Sequence, residues 1–426
     1  MTTQKTDTLV VGAGQAGIAM SEHLGRAGIP HMVLERSRIA ERWRSERWDS
    51  LVANGPAWHD RFPGREFERT GPDGFPPKEE VADYLADYAR MIDAPITCGV
   101  EVRQVRRLEG RTGFAILTSE GEIEAQHVVA ATGPFQTAQV PEMIAAREGL
   151  DQIHSSQYRN PAALRDGAVL VIGAGSSGAQ IAEELSHAGR RVFLSVGPHD
   201  RPPRAYRGRD FCWWLGVLGK WDMAAPAPGT EHVTIAVSGA NGGRTVDFRR
   251  FANEGMTLLG RTQSCEAGVL HVADDLRANL DRGDANYLGL LDAADAYAAR
   301  HGLDLPEEPE ARARQPEPDC VTHPIQQLDL AAEGITTVIW AVGFGVDYSW
   351  IKLDAFDDKG RPLHHRGVSP ERGIYYLGLP WQSRRGSSFI WGVWHDAKYI
   401  AEQIAIDRKY MKYHESAAAT PSARSA

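Results

Sequence analysis

The sequence predicts an α/β protein with two Rossmann-like dinucleotide-binding domains, and three observations predict it. A strand-like apolar run at Thr8–Val11 enters Gly12-Ala13-Gly14-Gln15-Ala16-Gly17 and then a helix of small residues. A second run, Ala168–Ile172, enters Gly173-Ala174-Gly175-Ser176-Ser177-Gly178 and another helix. Laid over each other at an offset of 161 residues, the two stretches match at the glycines and at the Ala-Gly pair ending each helix. A lone G-x-G-x-x-G is weak, but one that follows a strand and opens a helix specifies a phosphate-binding turn.

In the first unit Gly12 makes the turn, Gly14 lets backbone N–H groups approach a pyrophosphate, and Gly17 lets the helix pack closely on the strand. A second strand over His31–Leu34 ends at Glu35, where a ribose offers its hydroxyls. Beyond it, Ala53-Asn54-Gly55-Pro56 is a turn signal, and on residue type alone Asn54 is a turn-former. Pro77–Asp93 predicts an amphipathic helix with Val81, Tyr84, Leu85, Tyr88 and Met91 on one face. Ile96–Leu108, Phe114–Thr118 and Ile123–Val129 predict a small antiparallel sheet ending at Ala131-Thr132-Gly133-Pro134.

The second unit has no acid opposite Glu35; Val196 stands there, or Ser195 if the alignment slips by one residue. Arg201, Arg204, Arg207 and Arg209 follow. A carboxylate repels a 2′-phosphate, whereas a hydroxyl with arginines accepts one, so the first site reads as FAD and the second as NADPH. Residues 201–320 hold an aromatic cluster from Phe211 to Trp221, a glycine- and proline-rich stretch at Ala224–Gly243, and helical runs near Phe248–Asn253 and Tyr287–Arg300. A strand is expected at Met256–Leu259 and an exposed loop at Pro306–Pro318. Thr337–Phe344 and Gly373–Leu379 are further strand candidates, and a last helix from about Gly392 turns Val393, Ala397, Ile400 and Ile404 inward.

A chain of 426 residues is long enough for two or three domains, and 42% hydrophobic with 24% charged residues is a globular balance. A net charge of -9 argues against nucleic-acid partners. No apolar run spans a bilayer and no signal-peptide layout precedes the first strand, which points to the cytoplasm. Cys98, Cys212, Cys265 and Cys320 lie far apart with no C-x-x-C, so neither zinc nor dithiol chemistry is expected.

Directly before the second fingerprint stand Gly149, His154 and Tyr158. They resemble the F-x-G-x-x-x-H-x-x-x-Y/F linker of the flavin-containing monooxygenases, class B flavoprotein monooxygenases, with a gap one residue longer and no leading phenylalanine. The Ala131-Thr132-Gly133 segment and the Ala341–Phe344 strand end are similar to the crossings between this family's two nucleotide domains, with Val342 in place of the usual threonine. Leu379 replaces an aspartate often found after the glycine of the last flavin-contacting strand. The resemblance implies domains at 1–160 (FAD, first part), 161–335 (NADPH, with the 201–320 insertion) and 336–410 (FAD, second part), followed by a flexible tail at 411–426. It implies FAD on Gly12, Gly14, Gln15, Ala16, Gly17, Glu35, Arg42, Trp43, Thr132 and Gly133. It implies NADPH on Gly173, Gly175, Ser176, Ser177, Gly178, Ser195 and Arg201. Asn54 matches an asparagine that in this family lies by flavin and oxygen, which makes it the candidate catalytic residue; Ala53 stands where the family has Ser or Thr.

The family activity would be oxygenation of a small organic substrate with O2 through a flavin C4a-(hydro)peroxide. Tyr158-Arg159 favours attack at N or S, since the Baeyer–Villiger branch usually has tryptophan there. Baeyer–Villiger oxygenation, an NADPH oxidase or reductase without oxygen transfer, and a flavoprotein-like regulatory module are the alternatives, and the resemblance leaves room for a homodimer.

Overall fold

The computed structural model describes residues 4–225 and 234–418, with side chains through Met411. β1 (Gln4–Val11) buries its last four residues because it runs inside a sheet covered on both faces. The helix Gln15–Arg26 lays Ile18, Met20 and Leu24 into the core beside it. β2 (His31–Glu35) pairs in parallel with β1, setting Val11 opposite Leu34. The helix Lys78–Met91 buries Val81, Tyr84, Leu85 and Tyr88 as expected, but Met91 closes the helix 51% exposed and leaves the predicted face.

β3 (Ile96–Cys98) pairs with β2, while β4 (Val102–Arg107), β5 (Phe114–Thr118) and β6 (Gly121–Ala130) form an antiparallel meander. β6 also runs parallel to β1, giving the order β3-β2-β1-β6-β5-β4. The expected separate sheet is thereby corrected: Ile96–Leu108 is two strands, cut where Gly99 takes φ +80° and Val100 N–H donates to Glu35 O. Only glycine adopts that conformation without strain.

β7 (Thr137–Ala138) lies in the first crossing between the two sheets. The second sheet contains β8 (Asp151–His154), β9 (Ala168–Ile172) and β10 (Val192–Ser195), with strands Thr257–Leu259 and Ile335–Trp340. All its pairs are parallel, in the order Thr257–Leu259, β10, β9, Ile335–Trp340, β8. Helix Ser176–His187 packs on it as Gln15–Arg26 packs on the first. The helix foreseen near Tyr287–Arg300 is much longer, Leu276–His301, and begins in the core with Leu276 and Leu280. The strand expected over Thr337–Phe344 stops at Trp340, because Val342 is 41% exposed and Gly343 turns at φ +89°. Phe344–Gly345 then pairs antiparallel with β7, so the two crossings between the sheets brace each other.

The chain returns to the first sheet with Ile374–Tyr376, parallel to β6, and ends in the helix Ile390–Ala418. Val393, Ala397, Ile400 and Ile404 all face inward. That helix continues through the 411–418 part of the stretch expected to be a flexible tail, while 419–426 and the 226–233 part of the glycine- and proline-rich stretch lie outside the described residues.

Candidate functional site

The first glycine loop opens into a cavity of about 640 Å³. Gly12, Gly14, Gln15, Ala16, Glu35, Arg42, Trp43, Thr132 and Gly133 all line it, four separate stretches of chain brought to one mouth. Gly12 sits at φ +106°, and a Cβ there would lie 2.7 Å from the Ala131 carbonyl oxygen. Gly17 is outside the cavity and does the packing: its Cβ would fall 1.8 Å from Gly12 O, so helix and turn close only on a hydrogen atom. A Cβ on Gly14 would meet nothing within 4 Å, which leaves the helix N-terminus clear for an anionic group.

Glu35 holds the loop from the end of β2. One carboxylate oxygen accepts Ala13 N–H at 2.9 Å and the other Ser37 N–H at 2.9 Å. Each oxygen retains a lone pair for ribose hydroxyls. Gln15 donates to Ser388 O at 2.9 Å and accepts from the Trp43 indole at 3.4 Å, joining the first loop to the segment before the last helix. Arg42 pairs with Glu46 and donates to Gln136 O at 3.3 Å. Gln136 in turn donates 2.8 Å bonds to the Thr132 hydroxyl and the Gly133 carbonyl.

Several lining residues carried no recognised signal in the sequence, among them Arg36, Arg47, Asp347 and Ser388. Arg47 lies over the rings of Phe135 and Trp43, 5.1 and 5.9 Å from their centroids, and burial pushes its guanidinium down to about 10. It stays charged at neutral pH, a fixed cation on the cavity wall. The cluster Arg42-Trp43-Arg44-Ser45-Glu46-Arg47 is its one hint in the sequence. Leu379 is buried, and the neighbouring Gly378 lines the cavity.

Asn54 lies outside this cavity, at the junction with the second sheet. Its side-chain oxygen accepts Gln180 Nε2 at 2.8 Å and its carbonyl accepts Arg204 at 2.6 Å. Next to it, Gly55 N–H donates to Asp60 at 3.0 Å, and a Cβ on Gly55 would strike that carboxylate at 2.5 Å.

The second glycine loop repeats the first. Gly173 has φ +106°, and a Cβ on Gly178 would fall 1.8 Å from Gly173 O. Its mouth differs. The Ser176 hydroxyl donates to Ile235 O at 2.9 Å and accepts Val237 N–H at 3.3 Å, and Thr234 stands 3.4 Å from where a Gly175 Cβ would be. Ser177, on the same helical turn, is half-buried.

Two residues expected at this loop, Ser195 and Arg201, have protein partners within their own domain. Ser195 is buried, donates to Gly260 O at 2.9 Å and accepts from Thr262 N–H and hydroxyl at 3.1 and 3.0 Å, so its oxygen is saturated by the turn after Thr257–Leu259. Arg201 is also buried, pairs with Asp284 at 2.6 Å and lies over the Tyr287 ring, neutralised within its own domain. Arg204 pairs with Asp210 and Arg207 with Asp295, so these arginines hold the insertion together instead of presenting an open anion site.

The linker residues are structural. His154 is wholly buried with its Nε2 3.0 Å from Gly343 O, and the Tyr158 hydroxyl donates to Glu184 at 2.7 Å. They clamp the second crossing and the second-loop helix.

A family profile for pyridine nucleotide-disulphide oxidoreductases matches residues 9–205. The CzcO-like oxidoreductase of Geobacillus kaustophilus is 34% identical over 403 residues, covering 93% of this chain and 98% of that protein. The indole-3-pyruvate monooxygenase YUCCA4 of Oryza sativa subsp. japonica is 31% identical over 436 residues, covering 96% and 89%. Among solved structures, the flavin-containing monooxygenase from Stenotrophomonas maltophilia superimposes with a TM-score of 0.65 at 20% identity, covering 95% of this chain and 99% of that one.

Proposed function

The chain belongs to the flavin monooxygenase family that includes the CzcO-like oxidoreductases and the YUCCA enzymes, and from that premise we propose that it uses FAD, NADPH and O2 to oxygenate a small organic substrate at nitrogen or sulfur. The observation that carries the reading is a cavity on which nine expected flavin-binding residues converge. Its volume of about 640 Å³ suits a cofactor site, and its donor set matches the parts of a dinucleotide. Backbone N–H groups at Gly14 and Gln15 would take the pyrophosphate, Glu35 the adenosine ribose, Arg36 and Arg47 the aromatic rings and the overall negative charge, and Trp43 one face of the flavin ring. When bound, FAD supplies hydride acceptance and oxygen activation.

The protein's own share is to bind, orient and exclude water. The helix beginning at Ile390 turns its positive end toward the Ser388 wall of the cavity, a fixed dipole for negative charge. NADPH over NADH is supported by the absence of an acid at the end of β10, where Glu35 closes β2. Asn54 is proposed as the amide that steadies oxygen chemistry, since an amide donates and accepts without releasing an acidic proton.

Disulfide reduction through an internal cysteine pair is disfavoured. All four cysteines are unpaired thiols and none lines the cavity. The test is to supply NADPH, O2 and a thioether, a tertiary amine or a cyclic ketone, measuring oxygenated product and H2O2 together. S- or N-oxide formed in step with NADPH consumption is the expected outcome. H2O2 alone with every substrate would replace the reading with an oxidase, and lactone alone would move it to Baeyer–Villiger chemistry.

A further inference from the structure

We propose that Gln180 is a positioning residue: it sets which end of the Asn54 side-chain amide faces the site and which is locked into the protein. The inference rests on the role proposed for Asn54 above. Gln180 lies in the first turns of the second-loop helix, two residues after Gly178, and is 6% exposed. Its Nε2 donates to Val237 O at 2.7 Å and to the Asn54 side chain at 2.8 Å.

These two bonds settle the orientation of both amides by chemistry alone. A backbone carbonyl only accepts, so the end of Gln180 that meets Val237 is its NH2. That same NH2 also meets Asn54, so the end of Asn54 turned toward it must be the oxygen. The donor end of Asn54 therefore points away from the second-loop helix. It has no acceptor among the described residues, and Asn54 is half-buried, so that end is left for a ligand. The backbone of Asn54 is fixed independently, through Arg204 on its carbonyl and Asp60 on the following N–H. The only freedom left is the side-chain torsion, and Gln180 holds it.

The same residue ties Asn54 to the second glycine loop. Val237, its other acceptor, also donates its N–H to the Ser176 hydroxyl on that loop. A nucleotide that displaces Ile235–Val237 from Ser176 would therefore also reach the carbonyl that anchors Gln180, and through Gln180 the oxygen end of Asn54.

Gln180→Leu, Gln180→Glu, Asn54→Ala and the Asn54→Ala/Gln180→Leu double variant test this, with NADPH and O2 and no oxygenatable substrate. Gln180→Leu should raise the H2O2 leak rate roughly three- to tenfold, the effect of losing one ordinary hydrogen bond. In the Asn54→Ala background the same change should add nothing. Gln180→Glu keeps the size but accepts only, so it draws the Asn54 NH2 to itself and should resemble Asn54→Ala. A second readout needs no turnover: the shift in the bound-flavin spectrum on adding NADP+ should shrink equally in Gln180→Glu and Asn54→Ala. Equal leak increments in both backgrounds, or an unchanged leak with an unchanged NADP+ shift in Gln180→Glu, would overturn the proposal. Wild-type protein that holds no FAD, or whose FAD NADPH leaves oxidised, would overturn the functional reading and this inference together. A wild type that behaves as expected beside inert Gln180 variants overturns the inference alone.

Discussion

The two glycine loops are copies in backbone and opposites in surroundings. Gly12 and Gly173 share φ +106°, and Gly17 and Gly178 each leave 1.8 Å between a hypothetical Cβ and the first glycine's oxygen. Yet the first loop opens into about 640 Å³ of cavity, with Glu35 braced behind it, while Ile235 and Val237 engage the Ser176 hydroxyl of the second and Ser195 is consumed by its own sheet. A fingerprint therefore specifies a turn, and the chain packed around the turn decides what it can receive.

The largest effects should come from breaking what the loops share. Gly17→Ala and Gly178→Ala each force a methyl into a carbonyl and should cost upwards of about 4 kcal/mol, seen as loss of soluble protein or a collapsed Tm. A variant melting like wild type would show that the turns are not as tight as drawn.

Acid comes next, and strikes both halves. Burial lowers His23, in the first-loop helix, and His199, just beyond β10, to about 4. The unfolded chain protonates near pH 6.5 and the folded one only near pH 4, so stability is full above pH 6.5 and drains as pH falls toward 4. Each histidine contributes on the order of 3 kcal/mol to that loss. Thermal melts from pH 7 to pH 4 check this; a flat Tm across the window would mean both imidazoles are reached by water.

A smaller effect sharpens the contrast at the strand ends. Glu35→Ala should weaken FAD binding about 10- to 100-fold, roughly 1–3 kcal/mol, since Ala13 and Ser37 lose their acceptor along with the ribose. Ser195→Ala should lower stability by about 1 kcal/mol and leave nucleotide affinity alone. Titration of the apoprotein with FAD, and of the holoprotein with NADP+, separates them; weaker NADP+ binding in Ser195→Ala would restore Ser195 to the ligand site. Smallest is Ser176→Ala, which loosens Ile235–Val237 by about 1 kcal/mol and should tighten NADP+ slightly. Weaker NADP+ binding would mean the hydroxyl serves the ligand and not the covering segment.

Both loops, Glu35 and the inward face of the last helix were legible in the sequence because each rests on local spacing: glycine offsets, a strand length, a helical period. The partners of Arg201 and Arg204 were not. Asp284 lies 83 residues along the chain from Arg201, and a basic run reads the same whether phosphate or carboxylate meets it. Arg47 and Ser388 were missed for a related reason, since they reach the cavity through tertiary folding and carry no motif. Gln180 sits inside a recognised helix, but its meaning depends on Asn54, 126 residues earlier.

The most direct test of the central claim, FAD on the first loop and nicotinamide nucleotide on the second, is to place valine at each middle glycine and follow the flavin. Gly14→Val should fold but carry no FAD. Gly175→Val should retain FAD at the wild-type ratio, and NADPH should fail to bleach it under anaerobic conditions. A Gly14→Val protein that keeps its flavin, or a Gly175→Val protein reduced as fast as wild type, would contradict the account.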